Sequence, residues 1–179
     1  MKEIRFHGRG GQGVVKAAHM IVDSAVKEGK FAHFIPFFGV ERKGSPVFGF
    51  ARISDKEIRF KTQVYNPHCV VVTDDTLLGS IPVFDGLRDD GILVINTRKT
   101  LEELKLPESV KKAALVDASG IALETIGKNI PNTAMLGAFV KATGWIGLDH
   151  ILDKIEEDFG KSNRKAAEKA YAEVKIFEI

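Results

Sequence analysis

Hydrophobic residues change from a strand spacing to a helix spacing within the first part of the chain. Residues 3–7 alternate polar and apolar side chains, which predicts a short strand entering a sheet. Residues 14–27 have apolar side chains at helical spacing, at Val14, Ala17, Ala18, Ile21, Val22 and Ala25. The segment between them, 8–13, is therefore predicted to turn the chain from a strand into a helix.

An antiparallel element is predicted after this first unit. Residues 31–38 form a second predicted strand, and a loop containing glycine and proline leads to an apolar run at 47–54. That run and residues 57–62 flank Asp55 and Lys56. This arrangement predicts an antiparallel hairpin inserted into an otherwise parallel pattern.

Nearly continuous apolar runs predict the central strands, at 69–73, 92–95 and, more briefly, 115–117. Such runs are typical of parallel strands covered by helices on both faces. The last third of the chain has helical spacing, with predicted helices at 121–126, 132–142, 148–159 and 164–174. The whole chain, 1–179, is predicted to be one α/β domain: an open, doubly wound (Rossmann-like) mixed sheet with an inserted β-hairpin and C-terminal helices.

Composition excludes several classes of protein. Lys plus Arg total 26 and Asp plus Glu total 24, so the formal net charge of +2 does not predict the broad basic surface of a nucleic-acid binder. Apolar runs are far shorter than the ~18 residues that span a bilayer, and the N-terminus lacks the apolar core of a signal peptide. We therefore expect a cytoplasmic protein with no membrane partner. The single cysteine, Cys69, opens an apolar run and is interpreted as a buried small hydrophobe.

The turn at 8–13 is the strongest candidate for chemistry. It reads Gly8-Arg9-Gly10-Gly11-Gln12-Gly13. Its glycines permit a tight turn and close backbone approach. The free N–H groups and the positive dipole end at the start of the next helix favour a phosphate, and the arginine adds a fixed cation.

Two alternatives to a general phosphate site have to be weighed. Gly8, Gly10 and Gly13 fit the dinucleotide fingerprint, which also requires an acidic residue about 20 positions on, at the end of the second strand. That strand has none, and the first carboxylate after it, Glu41, lies in a loop. An independent NAD-dependent enzyme therefore fails on the missing ribose carboxylate. A glycine turn that only packs the helix against the strand stays an open alternative.

Four residues elsewhere are further candidates for the site. Arg42 and Lys43 follow the second strand and are predicted to lie beside the glycine turn, where they either grip phosphate or form a solvated charged turn. Asn96 ends a central strand at the same edge and either binds the ligand or forms a turn. Asn132 follows Pro131 and is interpreted first as the N-cap of a helix.

Other polar residues near this edge are interpreted as structural. Asp74 and Asp75 follow a strand and are predicted to cap a helix. His7 precedes the glycine turn without a partner in sequence. Neither histidines nor carboxylates have the spacing of metal ligands.

Three motifs in order resemble the gamma subunits of 2-oxoacid:ferredoxin oxidoreductases, and the resemblance spans nearly the whole chain. They are the glycine turn at 8–13, Phe38-Gly39-Val40-Glu41-Arg42-Lys43-Gly44-Ser45-Pro46-Val47, and Asn132-Thr133-Ala134-Met135-Leu136-Gly137-Ala138. The Glu-Arg-Lys-Gly-Ser-Pro form resembles the four-subunit pyruvate and branched-chain enzymes. Pyruvate is therefore the expected 2-oxoacid, with branched-chain specificity as the alternative.

This resemblance implies an enzyme complex that decarboxylates a 2-oxoacid on thiamine diphosphate with magnesium. Electrons pass through [4Fe-4S] clusters to ferredoxin, and the acyl group passes to coenzyme A. Alpha, beta and delta subunits are the implied partners. A cubane cluster takes about four cysteines and this chain has one, and it has no thiamine-type Gly-Asp-Gly segment.

What the resemblance leaves to this chain is the coenzyme A site. Coenzyme A carries a pyrophosphate and a ribose 3′-phosphate, which require N–H donors and fixed cations. The expected binding residues are Gly8, Arg9, Gly10, Gly11, Gln12, Gly13, Arg42, Lys43, Asn96 and Asn132. No catalytic residue is expected, so the isolated chain is predicted to be inactive. A purely architectural subunit with no ligand of its own is the competing hypothesis.

Overall fold

The computed structural model describes residues 1–37 and 43–179. Its strands are β1 (Lys2–Arg9), β2 (Phe31–Phe37), β3 (Pro46–Ser54), β4 (Cys69–Val72), β5 (Gly91–Asn96), β6 (Val110–Val116) and β7 (Lys175–Glu178). Its helices are α1 (Val14–Lys27), α2 (Ala118–Ile126), α3 (Asn132–Thr143), α4 (Leu148–Phe159) and α5 (Lys161–Glu173), with short 3-10 helices at Asp75–Gly79 and Glu102–Leu104. Within this described part, no helix is both long and apolar enough to cross a membrane.

All these strands form one mixed sheet in the order β2-β3-β1-β4-β5-β6-β7. Neighbours in the series β1, β4, β5 and β6 are parallel. β3 runs antiparallel to both β1 and β2, and β7 runs antiparallel to β6. The predicted open α/β sheet is confirmed. The carboxyl ends of β1, β4 and β5 meet at one edge, which is where ligands bind in sheets of this type.

The antiparallel part of the sheet differs from the predicted hairpin. β3 pairs with β2, which precedes it in the chain, while residues 57–62 are described but form no strand. Both edges of β3 are already taken by β1 and β2, so no ladder position remains for 57–62. Arg52 holds the following backbone instead, since its guanidinium donates to the carbonyls of Thr62 (2.6 Å) and Gln63 (2.9 Å).

The five α-helices pack together on one face of the sheet. Ile4 and Phe6 of β1 are buried there in a core shared with these helices. The other face of β4, β5 and β6 packs against the short 3-10 helices and turns, through Leu77, Val83 and Leu87. Helices on both faces were expected, but every described α-helix lies on the first face. The connections on this second face contain Pro82, Gly86 and Pro107, which interrupt helices.

Candidate functional site

The turn after β1 leaves the start of α1 open. Gly13 is the N-cap residue of α1, has a φ of 73°, and supplies no side chain to cap the helix. The first turn of α1 has no acidic residue either. The N–H groups of Val14, Val15 and Lys16 have no hydrogen-bond partner among the residues that the structure describes. Open donors and the positive end of a helix dipole favour an anion at this position.

Side chains from the end of β4 fix the shape of this turn. Gln12 Oε1 accepts from the Arg9 N–H (2.8 Å) and from the Thr73 hydroxyl (2.7 Å), and Gln12 Nε2 donates to Asp74 Oδ2 (3.1 Å). Asp74 also accepts from the Thr76 N–H, as the predicted cap of the following 3-10 helix. Gln12 therefore braces the turn with its whole amide group.

Arg9 is also bound within the protein. Its Nε lies 3.1 Å from Asp74 Oδ2, and its other nitrogens donate to Thr76 Oγ1 (2.8 Å) and the Gly44 carbonyl (3.1 Å). Burial would raise the pKa of Asp74, but hydrogen bonds from Thr76 and Gln12 and the charge of Arg9 outweigh burial and lower it. Asp74 is therefore an ionised partner that neutralises much of the Arg9 charge.

Two glycines of the turn are required by close packing. A Cβ on Gly8 would overlap Thr73 Oγ1 and a methyl group of Val14. A Cβ on Gly13 would lie 2.5 Å from Asn132 Nδ2, in addition to the positive φ. Gly11 has a φ of 94° but no such crowding, since Lys43 Cγ, at 3.9 Å, is the nearest described atom to its Cβ position.

The segment before β3 is hydrogen-bonded to the same turn. Gly10 donates its N–H to the Ser45 carbonyl (2.9 Å), and its own carbonyl accepts from the Gly44 N–H (3.1 Å). These bonds place Lys43 beside the turn, as its sequence position predicted. Arg42, the other expected cation, lies outside the described residues. Because the Gly10 N–H is already hydrogen-bonded to Ser45, it is not available to a ligand.

A cavity of about 730 Å³ opens beside the turn. This volume is in the range of small-molecule sites, ~300–1,000 Å³. Its cations are Arg9, Lys16, Lys43 and Lys128, and its apolar wall is formed by Val14, Val15, Val47, Ile126, Ile130 and Phe159. None of the described residues that line it is an aspartate or a glutamate.

Three of these four cations have no carboxylate partner among residues 1–37 and 43–179. Lys16, Lys43 and Lys128 make no salt bridge with any described residue, whereas Arg9 pairs with Asp74. Lys16 Nζ instead lies 5.3 Å from the centroid of the Phe159 ring. The cavity is therefore a strongly positive, partly apolar space next to an open helix end.

The two asparagines expected at the site are separated. Asn132 lines the large cavity and is 4% exposed, but Pro131 is the N-cap of α3 and Asn132 is the first residue of the helix. The predicted cap role is thus wrong, because its Oδ1 bonds only to the adjacent N–H of Thr133 (2.9 Å). The Asn132 amide nitrogen has no hydrogen-bond partner in the described part of the chain, so its N–H groups are available as donors.

Asn96 lies in a different cavity, of about 340 Å³, at the ends of β4 and β5. Its amide donates to the Thr73 carbonyl and to Ser119 Oγ, both at 2.9 Å, and its Oδ1 accepts from the Ser119 N–H. All its hydrogen-bonding groups hold α2 against β4. The structure therefore places Asn96 outside the large cavity, in a smaller one that it shares with Gln12 of the glycine turn.

The remaining candidate groups are buried away from the cavity. Burial raises the pKa of the Cys69 thiol far above its usual range, which leaves it an inert core residue. Burial, followed by the charge of Arg5, lowers the pKa of His7 to about 3. Across residues 1–37 and 43–179, no group of His, Cys, Asp and Glu is arranged to hold a metal ion.

Sequence reasoning missed Lys16, Lys128 and the apolar wall. Lys16 had a signal, since it lies in the first turn of the helix that follows the glycines. Lys128 had none, because only the packing of the α2–α3 connection brings it to α1. The dinucleotide alternative also loses support here. β3, not β2, lies next to β1, so the second strand ends one strand away from the glycine turn.

Comparisons with known proteins give a consistent family. Residues 3–173 match the family model described as pyruvate ferredoxin/flavodoxin oxidoreductase. The chain is 52% identical over 185 residues to the pyruvate/ketoisovalerate oxidoreductases common subunit gamma of Thermococcus kodakarensis, with 100% of both chains covered.

Solved structures agree with that similarity. Pyruvate oxidoreductase subunit PORC of Thermotoga maritima superposes with a TM-score of 0.88 at 41% identity, covering 99% of this chain and 98% of that one. A 2-oxoglutarate:ferredoxin oxidoreductase of Magnetococcus marinus, solved with 2-oxoglutarate, coenzyme A and succinyl-CoA bound, shares the fold with a TM-score of 0.77 at 20% identity. That match covers 96% of this chain and 30% of the other, longer chain.

Proposed function

This chain belongs to the pyruvate ferredoxin/flavodoxin oxidoreductase family as a gamma subunit, and from that premise we propose that it binds coenzyme A for its complex. The observation that carries the proposal is the cavity at the start of α1. It combines open N–H donors and unpaired lysines, and no carboxylate is found among its described lining residues. A polyanionic ligand with an apolar part fits that combination.

The pyrophosphate of coenzyme A is assigned to the glycine turn. The N–H groups at the start of α1 donate to phosphate oxygens, and Lys43, whose Cγ lies 3.9 Å from the Cβ position of Gly11, supplies a cation. Arg9 and Gln12 act by holding the turn in shape. Asn132 closes the turn from the side of α3 and offers its amide nitrogen. The Magnetococcus enzyme of the same fold, solved with coenzyme A bound, makes coenzyme A the first ligand to test.

The chemistry at the 2-oxoacid is assigned to the other subunits. The complex would convert pyruvate, coenzyme A and oxidised ferredoxin into acetyl-CoA, CO2 and reduced ferredoxin, with two electrons passing to ferredoxin. Thiamine diphosphate, magnesium and the [4Fe-4S] clusters belong to the alpha, beta and delta subunits in this proposal. Cys69 is the single cysteine here and is buried, so this chain has no ligands for a cluster.

The choice of 2-oxoacid is also assigned to the partners. The Thermococcus relative is described as common to pyruvate and ketoisovalerate oxidoreductases. A shared gamma subunit fits a site that binds coenzyme A, which is the same for either substrate. Pyruvate stays our first proposal and a branched-chain 2-oxoacid the second.

Titration calorimetry with coenzyme A and with NADH tests the binding role. The full chain and the assembled complex are both titrated, with Lys43→Met as the site variant. Lys27→Met is the matched control, because Lys27 lies on α1 but faces solvent and pairs with Glu157 outside the cavity. We expect coenzyme A to bind, NADH not to bind, and Lys43→Met alone to weaken coenzyme A binding by about tenfold or more.

The architectural hypothesis makes the opposite prediction. A gamma subunit that only braces its neighbours would leave the KM of the complex for coenzyme A the same in Lys43→Met and wild type. That result would show that coenzyme A does not bind in this cavity. A 2-oxoacid turnover or an iron-dependent absorbance band in the purified chain alone would contradict the assignment of redox chemistry to the partners.

A further inference from the structure

We infer that Lys16 and Lys128 form a second anion subsite in the large cavity, and that this subsite recognises the ribose 3′-phosphate of coenzyme A. This inference rests on the proposed function. It adds a property that the glycine turn alone does not give, which is selection of coenzyme A over its 3′-dephospho form.

The number and placement of the cations are the first argument. The open helix end and Lys43 are on the side of the cavity formed by the glycine turn and β3. Lys128 comes from a different part of the chain, the connection between α2 and α3, and Lys16 reaches the end of α4 at Phe159. The lysines therefore come from three separate elements around the space, which is more cationic groups than one diphosphate beside the glycine turn requires.

The second argument is the cost of gathering these charges. Four cations line one cavity, and Asp74 neutralises only Arg9. Like charges that converge in a partly apolar space repel each other, and a bound anion relieves that repulsion. A phosphomonoester carries about −1.5 to −2 charges near neutral pH, more than a single lysine balances. Two unpaired lysines match that charge.

The position of Lys16 supports the same assignment. Its ammonium group rests on the Phe159 ring at 5.3 Å and not on a carboxylate. A cation–π contact at an exposed side chain is weak, so a phosphate can recruit Lys16 without breaking an ion pair to any described carboxylate. Phe159 itself is held in place, since Asn163 Nδ2 donates to the Phe159 carbonyl (3.2 Å) and Asn163 Oδ1 accepts from the Thr133 hydroxyl (3.1 Å).

The apolar wall explains why the monoester belongs on this side. Ile126, Ile130 and Phe159 form a surface suited to a flat ring, and Lys128 lies in the same chain segment as the two isoleucines. In coenzyme A the adenine and the 3′-phosphate are attached to the same ribose. An adenine packed on this wall therefore carries its 3′-phosphate to Lys16 and Lys128, while the diphosphate extends to the glycine turn.

The test compares coenzyme A with 3′-dephospho-coenzyme A in the assembled complex. We expect the wild type to have the lower KM for coenzyme A. Lys128→Met and Lys16→Met should each raise the KM for coenzyme A by about tenfold and change the KM for the dephospho form little. Lys43→Met should raise both, because the diphosphate is present in both ligands. Lys128→Arg should retain part of the preference for coenzyme A that Lys128→Met loses. Lys27→Met should keep the wild-type KM for both ligands.

The outcomes separate this inference from the proposed function. If Lys16→Met and Lys128→Met weaken both ligands equally, or if the wild type has no preference, the 3′-phosphate subsite is wrong while the site itself stands. If Lys43→Met leaves the KM for both ligands at the wild-type value, coenzyme A does not bind here, and the proposed function fails together with the subsite. Thermal shift of the full chain gives a readout without turnover. Adenosine 3′,5′-bisphosphate should raise the melting temperature more than AMP, and Lys128→Met should abolish that difference.

Discussion

Arg9 and Asp74 form an ion pair across the carboxyl ends of β1 and β4, with Nε and Oδ2 3.1 Å apart. Both side chains are mostly buried, at 28% and 20% exposure. The same guanidinium also donates to Thr76 and to the Gly44 carbonyl, so three connections meet on it. Arg9 therefore joins the glycine turn to the ends of its neighbouring segments. The positive charge that a ligand in the cavity would meet comes mainly from the lysines.

This division of roles predicts different effects for two cation variants. Arg9→Met should lower the free energy of unfolding by about 1–2 kcal/mol, because Asp74 loses its partner and the turn loses two further hydrogen bonds. Lys43→Met removes an exposed charge that makes no salt bridge with a described residue, and it should leave the unfolding free energy within about 0.5 kcal/mol of wild type. Urea denaturation of both variants measures this. Equal losses of stability would show that the Arg9–Asp74 pair does not stabilise the turn.

Gly11 and Gly13 offer a matched pair for the geometry of the turn. Both have positive φ, so alanine should cost about 1–2 kcal/mol at either position. Gly13→Ala should cost clearly more, because its Cβ would lie 2.5 Å from the Asn132 amide nitrogen. Replacing Asn132 by alanine in the Gly13→Ala background should recover part of that excess. A double-mutant cycle from chemical denaturation measures the coupling, and a coupling near zero would contradict the contact.

The local spacing of hydrophobic residues predicted most of the helices and strands, but not which strands pair with each other. The helix at Leu148–Phe159 was found with its observed bounds, because its apolar side chains recur at helical spacing. The β2–β3 pairing was missed because the sequence of a single strand does not determine which strand it pairs with or in which register. β7 was missed as well, since Lys175–Glu178 is an edge strand of only four residues, two of them charged, and it forms by pairing with β6.

Prediction of the site had the same limit. The glycine turn was predicted because a strand, a turn and a helix are consecutive in the chain. Lys43 lies beside the turn because β3, which follows it, pairs with β1. Lys128 and Phe159 join the cavity only through tertiary packing. Asn96 ends a strand at the expected edge, but its groups are all used to hold α2. A position at the correct sheet edge therefore does not by itself bring a residue into the site.

The packing of α3 against α5 gives a prediction about the fold. Gly137 faces α5 so closely that a Cβ would overlap the Ala167 carbonyl. Gly137→Ala should therefore destabilise the chain by more than about 2 kcal/mol, even though alanine favours helices, since two backbones would have to separate. Gly79→Ala is the control, because no described atom lies within 4 Å of its Cβ position and its φ is ordinary. Thermal unfolding of the two variants side by side measures the difference, and similar melting temperatures would contradict this close approach.

His7 predicts how the stability of the chain depends on pH. Arg5 Nε donates to His7 Nε2 (3.1 Å), and the other ring nitrogen is buried with no partner among the described residues. Burial, and then the charge of Arg5, lowers the pKa of His7 to about 3, against about 6.5 in an unfolded chain.

Between these two values the unfolded chain binds a proton that the native chain does not, so stability rises with pH across this window. The contribution is present in full above about pH 6.5 and is lost as the pH falls towards 3. Its slope is at most about 1.4 kcal/mol per pH unit.

His7→Gln keeps an acceptor for Arg5 and removes this titration. Its unfolding free energy should therefore fall less steeply than that of the wild type between pH 6.5 and 4, and the two slopes should converge above pH 7. Part of the slope should remain in the variant, since burial also lowers the pKa of His33 and His68. Urea denaturation at half-unit pH intervals measures both curves. Parallel curves from pH 4 to 6.5 would mean that His7 binds its proton equally well in the native and unfolded chains.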